Sequence, residues 1–427
     1  MLNINTNNYN IEYKNILYNY INYTNNYLIT EIYRNTLYIK FKNYISKIRK
    51  KIINEHNIVN LDKNNFISEI YLYDIVSLFI INHKFKSLFD PIFDLSSPFN
   101  LHNIQLYFKN KCIPTINKNI QKSIENILPK LSDKYIKYYK KIKKNIIKFN
   151  NINYKLTYEI NNNIVTIYLN ILETNNDMQL FINKLKYKKI INISLHIFNH
   201  LVNLYNNKIL NKYNNNEILD IKVIEYIYMI FIRYNTLSSG NNQASILPSF
   251  KKIMKNVLNI KVELFGSPLN TSSSMFGSLF YDIDNVFGSI GNYFNSNLLK
   301  GYYEINPIFD TCLINKIIIK CLNELNIATI NKNPLLFLFI LPISYNKYNS
   351  KLNMLNEFKK FEIVIEKKLF PYIRYDRKFL KTKVSPIVDT HILIYHNDFI
   401  KDIIKKNVLN FNYYIDNWKL KNNKINL

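Results

Sequence analysis

Apolar residues recur at three- and four-residue steps through most of the first half of the chain, and that spacing predicts helices over 64–89 and 115–149, with Lys and Asn filling the polar positions. Residues 154–170 (YKLTYEINNNIVTIYLN) depart from it. There apolar and polar positions alternate in twos on either side of Asn161-Asn162-Asn163, which predicts a β-hairpin. Helical spacing returns over 189–205 and 217–234.

From 248 onward the period switches repeatedly. A helix over 248–259 is followed by a strand at 260–265, a Gly/Ser loop, a strand at 302–305 and a helix at 309–325. A buried strand (335–341), a helix (350–360) and two further strands (361–367 and 391–396) complete the series. Strands alternating with helices predict a doubly wound α/β sheet whose ligand sits at the carboxyl ends of the strands. The chain therefore divides into a mainly helical domain over 1–235, carrying the hairpin, and an α/β core over 236–427. Only 36 positions separate Asn270 from Asn306, too few for two βα units of about 30 residues each. The sheet must be abbreviated, with strands such as 361–367 and 391–396 supplied from later in the chain.

Length and composition add limits. A chain of 427 residues can bury ordinary cores in two or three domains. Asn, Ile, Lys and Tyr abound, there are five Arg against a Lys+Arg total of 57, and Gly is used six times. This is the signature of AT-rich codons, so the Asn content is not read as low complexity. The formal charge of +27 predicts attraction to phosphate backbones through counterion release, with a solvated lysine surface as the plain alternative. Cys112, Cys312 and Cys321 form no CxxC pair, so neither a disulfide framework nor a zinc site is expected, and the chain reads as intracellular and soluble. No signal-peptide pattern opens the chain, and the apolar run at 333–344 is about half a bilayer crossing in length.

All six glycines, Gly240 to Gly301, fall within 62 residues. Where a coding bias removes glycine, those that remain mark positions that a side chain cannot occupy, and such clustering marks a functional centre or one long loop. Within this window two predicted strand ends carry conspicuous segments: ELFGSPLN (263–270) and EINPIF (304–309). The first lacks the spacing of a dinucleotide site or a P-loop. The second has parts that suit methylation of an exocyclic amine. The Asn306 side-chain carbonyl and the Pro307 backbone carbonyl can accept the two N–H bonds of an adenine amine, and Phe309 offers a face for the base, worth about 1–3 kcal/mol. Proximity and electrostatics then supply the rate enhancement, with neither a metal nor a strong base required. A strand that ends at a proline beside a core Phe gives the same letters.

The stretches ASILP, ELFGSPLN, FYDIDNVFGSIG and GYYEINPIF, and more loosely PLLFLFILP and THILIYHND, resemble the cap-specific adenosine N6-methyltransferase family of the phosphorylated CTD-interacting factor type. The resemblance is close over about 243–309 and extends more loosely across the C-terminal part of the chain. It implies a Rossmann-like S-adenosylmethionine-dependent methyltransferase core packed on a helical domain, acting on N6 of a 2'-O-methylated adenosine next to the cap of mRNA. It also implies that Asn306, Pro307 and Phe309 hold the target adenine. Phe265, Gly266, Ser267, Pro268, Leu269 and Asn270, with Glu304, would bind S-adenosylmethionine, and Asp282, Asp284, Phe287, Gly288 and Ser289 match positions near the same site. The family's NPPF is NPIF here, with Ile308 in place of the second proline. Its acidic residue and Trp after the buried strand are replaced by Ile343-Ser344. With Trp418 as the single tryptophan, a WW domain and WW-mediated polymerase-tail binding are not expected.

Outside that window, Arg374 and Arg377 are candidates for gripping RNA phosphate or stacking on a base. Arg233 either faces RNA or caps a helix end as a cation on the macrodipole. His196 and His200 have metal-ligand spacing without acidic or thiol neighbours, so no metal site is assigned. Two rival readings stay open. One is a nucleotidyltransferase of the poly(A) polymerase kind, with Gly266-Ser267 before Asp282 and Asp284. The other is a methyltransferase-like scaffold that binds RNA without turnover.

Overall fold

The computed structural model of the chain describes residues 27–55, scattered helical positions between 126 and 145, 152–172, isolated positions between 182 and 185, 189–210, 221–237, 244–309, 311–343, 349–375 and 381–423. The helix expected over 64–89 and Gly240 lie outside them. In chain order the N-terminal half provides α1 (Tyr27–Glu55), β1 (Tyr154–Asn161), β2 (Ile164–Ile171), β3 (Ile190–Ser194), α2 (Leu195–Leu210) and α3 (Ile221–Leu237). The structure divides into two compact units, one holding Asn7–Asn192 with Ile218–Ser239, the other Ile193–Glu217 with Gly240–Leu427.

In the first unit α1 packs on α3. Leu28, Ile29, Ile32 and Phe41 of α1 and Ile227, Tyr228 and Ile230 of α3 are all buried. The hairpin forms as its alternation predicts, with β1 and β2 antiparallel from Tyr154↔Ile171 to Asn161↔Ile164. Asn162 and Asn163 turn it at φ 48° and 62°, a conformation that Asn tolerates better than most residues and that matches strand twist. Its next neighbour is a correction to the sequence reading. Residues 190–194, expected as the start of a helix, are strand β3 beside β2, and the helix begins at Leu195.

The second unit is organised by a six-stranded mixed sheet. Its elements are β4 (Ser245–Ile246), α4 (Pro248–Leu258), β5 (Val262–Glu263), β6 (Met275–Phe276), β7 (Gly301–Ile305), α5 (Thr311–Ile330), β8 (Leu335–Pro342), β9 (Lys359–Ile365), β10 (Tyr372–Tyr375), β11 (Lys381–Val384), β12 (Thr390–His396), α6 (Asp402–Leu409) and α7 (Phe411–Asn423). The strand order is β6-β5-β7-β8-β12-β9. The first four run parallel, and β12 lies antiparallel between β8 and β9. Every residue of β12 is buried, as is all of β8 except Pro342, which explains why β8 reads as an unbroken apolar run. The sheet is abbreviated at β5 and β6, two residues each, and is completed by the late strands β9 and β12. A separate three-stranded sheet, β11-β10-β4, pairs Tyr372 with Ile246.

Candidate active site at the carboxyl ends of the parallel strands

Strands β6, β5 and β7 are parallel neighbours, so the segments that follow them leave from the same end of the sheet. The chain passes from β5 outward to β6 and returns to the other side of β5 for β7. Ligand crevices in open α/β sheets lie outside the carboxyl ends where the strand order reverses in this way. Here that point falls between β5 and β7, whose backbones are joined by Leu264 N–H donating to the Glu304 carbonyl at 2.9 Å. The crevice is thus bordered by the FGSPLN loop on one side and the NPIF corner on the other.

The loop after β5 is held by its own groups. Asn270 Oδ1 accepts from the Ser267 N–H at 2.8 Å and from Ser267 Oγ at 3.0 Å, and Asn270 N–H returns to the Ser267 carbonyl at 3.2 Å. Gly266 N–H donates to the Gly277 carbonyl at 2.8 Å, and Gly277 N–H to the Glu263 carbonyl at 2.7 Å, tying this loop to the one after β6. A Cβ on Gly277 would lie 2.3 Å from the Leu264 carbonyl oxygen. One on Gly288, at φ 102°, would lie 2.2 Å from that of Ser274. Glycine is retained at these two positions because backbone passes backbone there. Phe265 packs edge-on against Tyr293 and Phe294, with centroids 5.6 and 6.4 Å away. Pro268 and Leu269 are buried, so of the loop's side chains Phe265 and Asn270 are the larger ones that stay partly accessible.

At the corner, Pro307 is buried, Asn306 is 9% exposed and Phe309 is 46% exposed. Among the described residues the Asn306 amide makes no hydrogen bond to another protein group. The Phe309 ring stands edge-on to Tyr372 of β10, centroids 6.3 Å apart and planes at 83°, which braces it while leaving area open. A half-exposed aromatic and a nearly buried amide without a protein partner are the groups a planar, hydrogen-bonding ligand needs.

Beneath the loop lies a buried charged cluster. Glu263 and Glu304 are register partners on β5 and β7, so their side chains share one side of the sheet. Lys251 of α4 reaches Glu263 Oε2 at 2.6 Å. Glu304 is 2% exposed and its Oε1 has no hydrogen-bond partner. Burial pushes the Glu304 carboxyl up to about 8; Lys251 opposes the rise and Glu263 adds to it. His200 of α2 faces the backbone of Pro268 and Thr271, and burial holds it below the usual histidine range. Two buried carboxyl groups with one ammonium between them, and one carboxyl oxygen without a partner, are chemistry that suits a cationic ligand such as S-adenosylmethionine.

Sequence reasoning missed Lys251 and Tyr372. Lys251 had a signal: it shares the apolar stripe of α4 with Met254 and Leu258, where a lysine needs a buried partner. Tyr372 lies in the stretch singled out for its arginines.

The remaining candidates are placed as follows. Arg233, a candidate either for facing RNA or for capping a helix end, is buried. It is 2% exposed and its Nε donates to Glu31 Oε1 at 3.0 Å, its Nη2 to Oε2 at 2.5 Å, in a buried cluster with Arg34. Asp282 and Asp284 are 6% and 0% exposed within a single helical turn, and Phe287 is fully buried against Tyr205. Ser289 Oγ bonds Ser278 Oγ at 2.7 Å and accepts from Gly291 N–H at 3.1 Å. With Gly288 these residues fold the β6-to-β7 connection. Arg374 is in β10, and Arg377 lies outside the described residues. A cleft of about 540 Å³ runs along α5 between Phe294, Leu299, Ile319 and Ile327, on the side of Phe294 that adjoins Phe265 of the loop. Among the described residues no group of three His, Cys, Asp or Glu side chains is placed to hold a metal ion, and no helix is long and apolar enough to cross a membrane.

The matched segment of the chain, residues 200–374, contains the 265–270 loop and the 306–309 corner and no tryptophan. Its match is to the family model described as the phosphorylated CTD interacting factor 1 WW domain, which supports a protein of that type.

Proposed function

We propose that the protein is an S-adenosylmethionine-dependent RNA adenine N6-methyltransferase acting on the adenosine next to the mRNA cap. The observation that carries this reading is that the Asn306-Pro307-Ile308-Phe309 corner follows β7 and the FGSPLN loop follows its parallel neighbour β5, with the Asn306 amide unbonded among the described residues. Phe309 and the corner carbonyls divide the work. The ring accepts one face of the base, held upright by Tyr372. The Asn306 side-chain carbonyl and the Pro307 carbonyl each accept one N–H of the exocyclic amine, which returns electron density to nitrogen and fixes the direction of its lone pair. The bound cofactor supplies a sulfonium methyl as electrophile. On accepting the methyl the amine nitrogen would take over the positive charge and release one of its protons to solvent, so exclusion of water by the buried corner and orientation of the amine by Asn306 and Pro307 carry the catalysis.

Ile308 in place of a second proline leaves the Pro307 carbonyl available and loosens the corner only at the position after it. The nucleotidyltransferase reading is weakened because Asp282 and Asp284 are buried, 6% and 0% exposed, where a metal-bound triphosphate needs open carboxylates. The scaffold reading is separated by turnover. With tritiated S-adenosylmethionine and capped RNA beginning with adenosine, the wild type is expected to transfer label and Asn306→Ala to lose about 2–3 orders of magnitude, as for removal of one preorganised polar group. An unchanged rate in a folded Asn306→Ala protein rejects this assignment of the amine acceptor.

A further inference from the structure

Two carboxylates and one lysine lie under the cofactor loop, and their arithmetic does not balance. Lys251 Nζ bonds Glu263 Oε2 at 2.6 Å, and both groups are at least nine-tenths buried. That pair is neutral as a unit. Glu304 stands beside Glu263 in register, 2% exposed, with Oε1 lacking any hydrogen-bond partner. Its register partner on the other side, Leu338 of β8, is apolar and fully buried. A second buried anion next to Glu263, without a donor for one of its oxygens, is costly enough that the carboxyl keeps its proton instead. The groups that act on Glu304 are Glu263 from β5 and Lys251 from α4. The cluster sits against the cofactor loop: a Cβ added to Gly266 would meet Glu263 Cδ at 3.2 Å and Oε2 at 3.3 Å.

We propose that Glu304 is the proton-exchanging acceptor of the cofactor site: it is a neutral acid in the free protein and becomes a carboxylate when the cationic end of S-adenosylmethionine enters the crevice. The O–H bond of Glu304 breaks, its proton passes to solvent, and the incoming positive charge replaces it as counter-charge. The site is thereby electrically neutral with or without ligand, and binding of a cation is coupled to release of one proton. This rests on the strand-end crevice being the cofactor site. The sign follows from linkage. Glu304 sits above the ordinary carboxylate range in the free protein, so affinity for a cation rises with pH and levels off once Glu304 is already ionised.

The test is calorimetric titration of the full chain with S-adenosylmethionine in two buffers of different ionisation enthalpy, at several pH values from about 6 to 9. The wild type is expected to release about one proton per ligand near neutral pH, with the dissociation constant falling about tenfold per pH unit below the plateau. Glu304→Gln keeps shape and neutrality and is expected to bind with that pH dependence removed and no comparable proton release. As a second readout, the infrared carbonyl band of a protonated carboxyl should be present in the free wild type and vanish on ligand addition. Binding without proton release, or equal release by folded Glu304→Gln, overturns the proposal and leaves the methyltransferase reading standing. If the wild type binds no S-adenosylmethionine, the functional reading fails and this proposal fails with it.

Discussion

Glu31, Arg34 and Arg233 show what a lysine-favouring sequence keeps its few arginines for. Two of the five Arg in the chain meet one buried carboxylate, where the planar fork of a guanidinium can satisfy two oxygens and an ammonium cannot. Burial raises the Glu31 carboxyl, but Arg233 and Arg34 outweigh it and hold the group down at about 2. A depressed carboxylate contributes stability above its unfolded pKa, near 4.5, that is lost as pH falls toward 2. Glu31→Gln should therefore lower stability at pH 7 by about 3 kcal/mol, read from the urea midpoint, with the difference shrinking below pH 4.5. An equal penalty at pH 3 would show that the pair is not the source. Arg233 was legible as special but not as buried, because nothing in the sequence links it to a partner about two hundred positions earlier. Phe309 belongs to the same scale. Phe309→Ala should raise the apparent KM for RNA and lower kcat/KM by about 1–3 kcal/mol equivalent, while Phe309→Tyr should retain most of both.

Elements whose sequence signal is local were readable, and those that depend on a distant partner were not. The hairpin announces itself because alternation and an Asn turn occur within one stretch, and the buried strands β8 and β12 because both their faces are covered. Strand β3 has only five residues, and IINIS suits the end of a helical stripe as well as a strand, so its pairing with β2 decides. The joining of β4 to β10 across more than a hundred residues has no sequence signature at all, yet it places Tyr372 behind Phe309. The glycine window was expected to hold positions closed to a side chain, and Gly277 and Gly288 are two such positions. Gly288→Ala combines positive φ with a 2.2 Å approach to a carbonyl oxygen, whereas the nearest group to a Cβ on Gly291, at φ 93°, is Tyr281 at 3.6 Å. Gly291→Ala should cost about 1–2 kcal/mol, the left-handed penalty alone. Gly288→Ala should cost clearly more, and similar denaturation midpoints for the two would refute the steric account.

Across the whole chain, under the proposed function, the excess of 57 basic over 30 acidic residues would set how RNA arrives and the corner at 306–309 what happens to it. These contributions separate by salt. If about four phosphates are neutralised, RNA affinity should fall about fiftyfold between about 50 and about 200 mM monovalent salt. Turnover at saturating RNA should change far less, since the proposed contacts of Asn306 and Pro307 with the amine are short-ranged; a salt-independent affinity would rule out the basic surface as the source of binding. The order of the strands was half legible: that segments 263–270 and 304–309 follow strands could be read from sequence, whereas the adjacency of β5 and β7 required the sheet. That adjacency is the central claim, and one measurement tests it most directly. RNA treated with the purified protein and S-adenosylmethionine is digested to nucleosides for mass spectrometry, with capped and uncapped transcripts that begin with A or with G. A methyl group on N6 of the first adenosine, strongest in the capped A-start transcript and absent after treatment with Asn306→Ala, is the expected result. Methylation on another atom or on the G-start transcript, or unmodified adenosine under conditions where the protein binds both ligands, would contradict it.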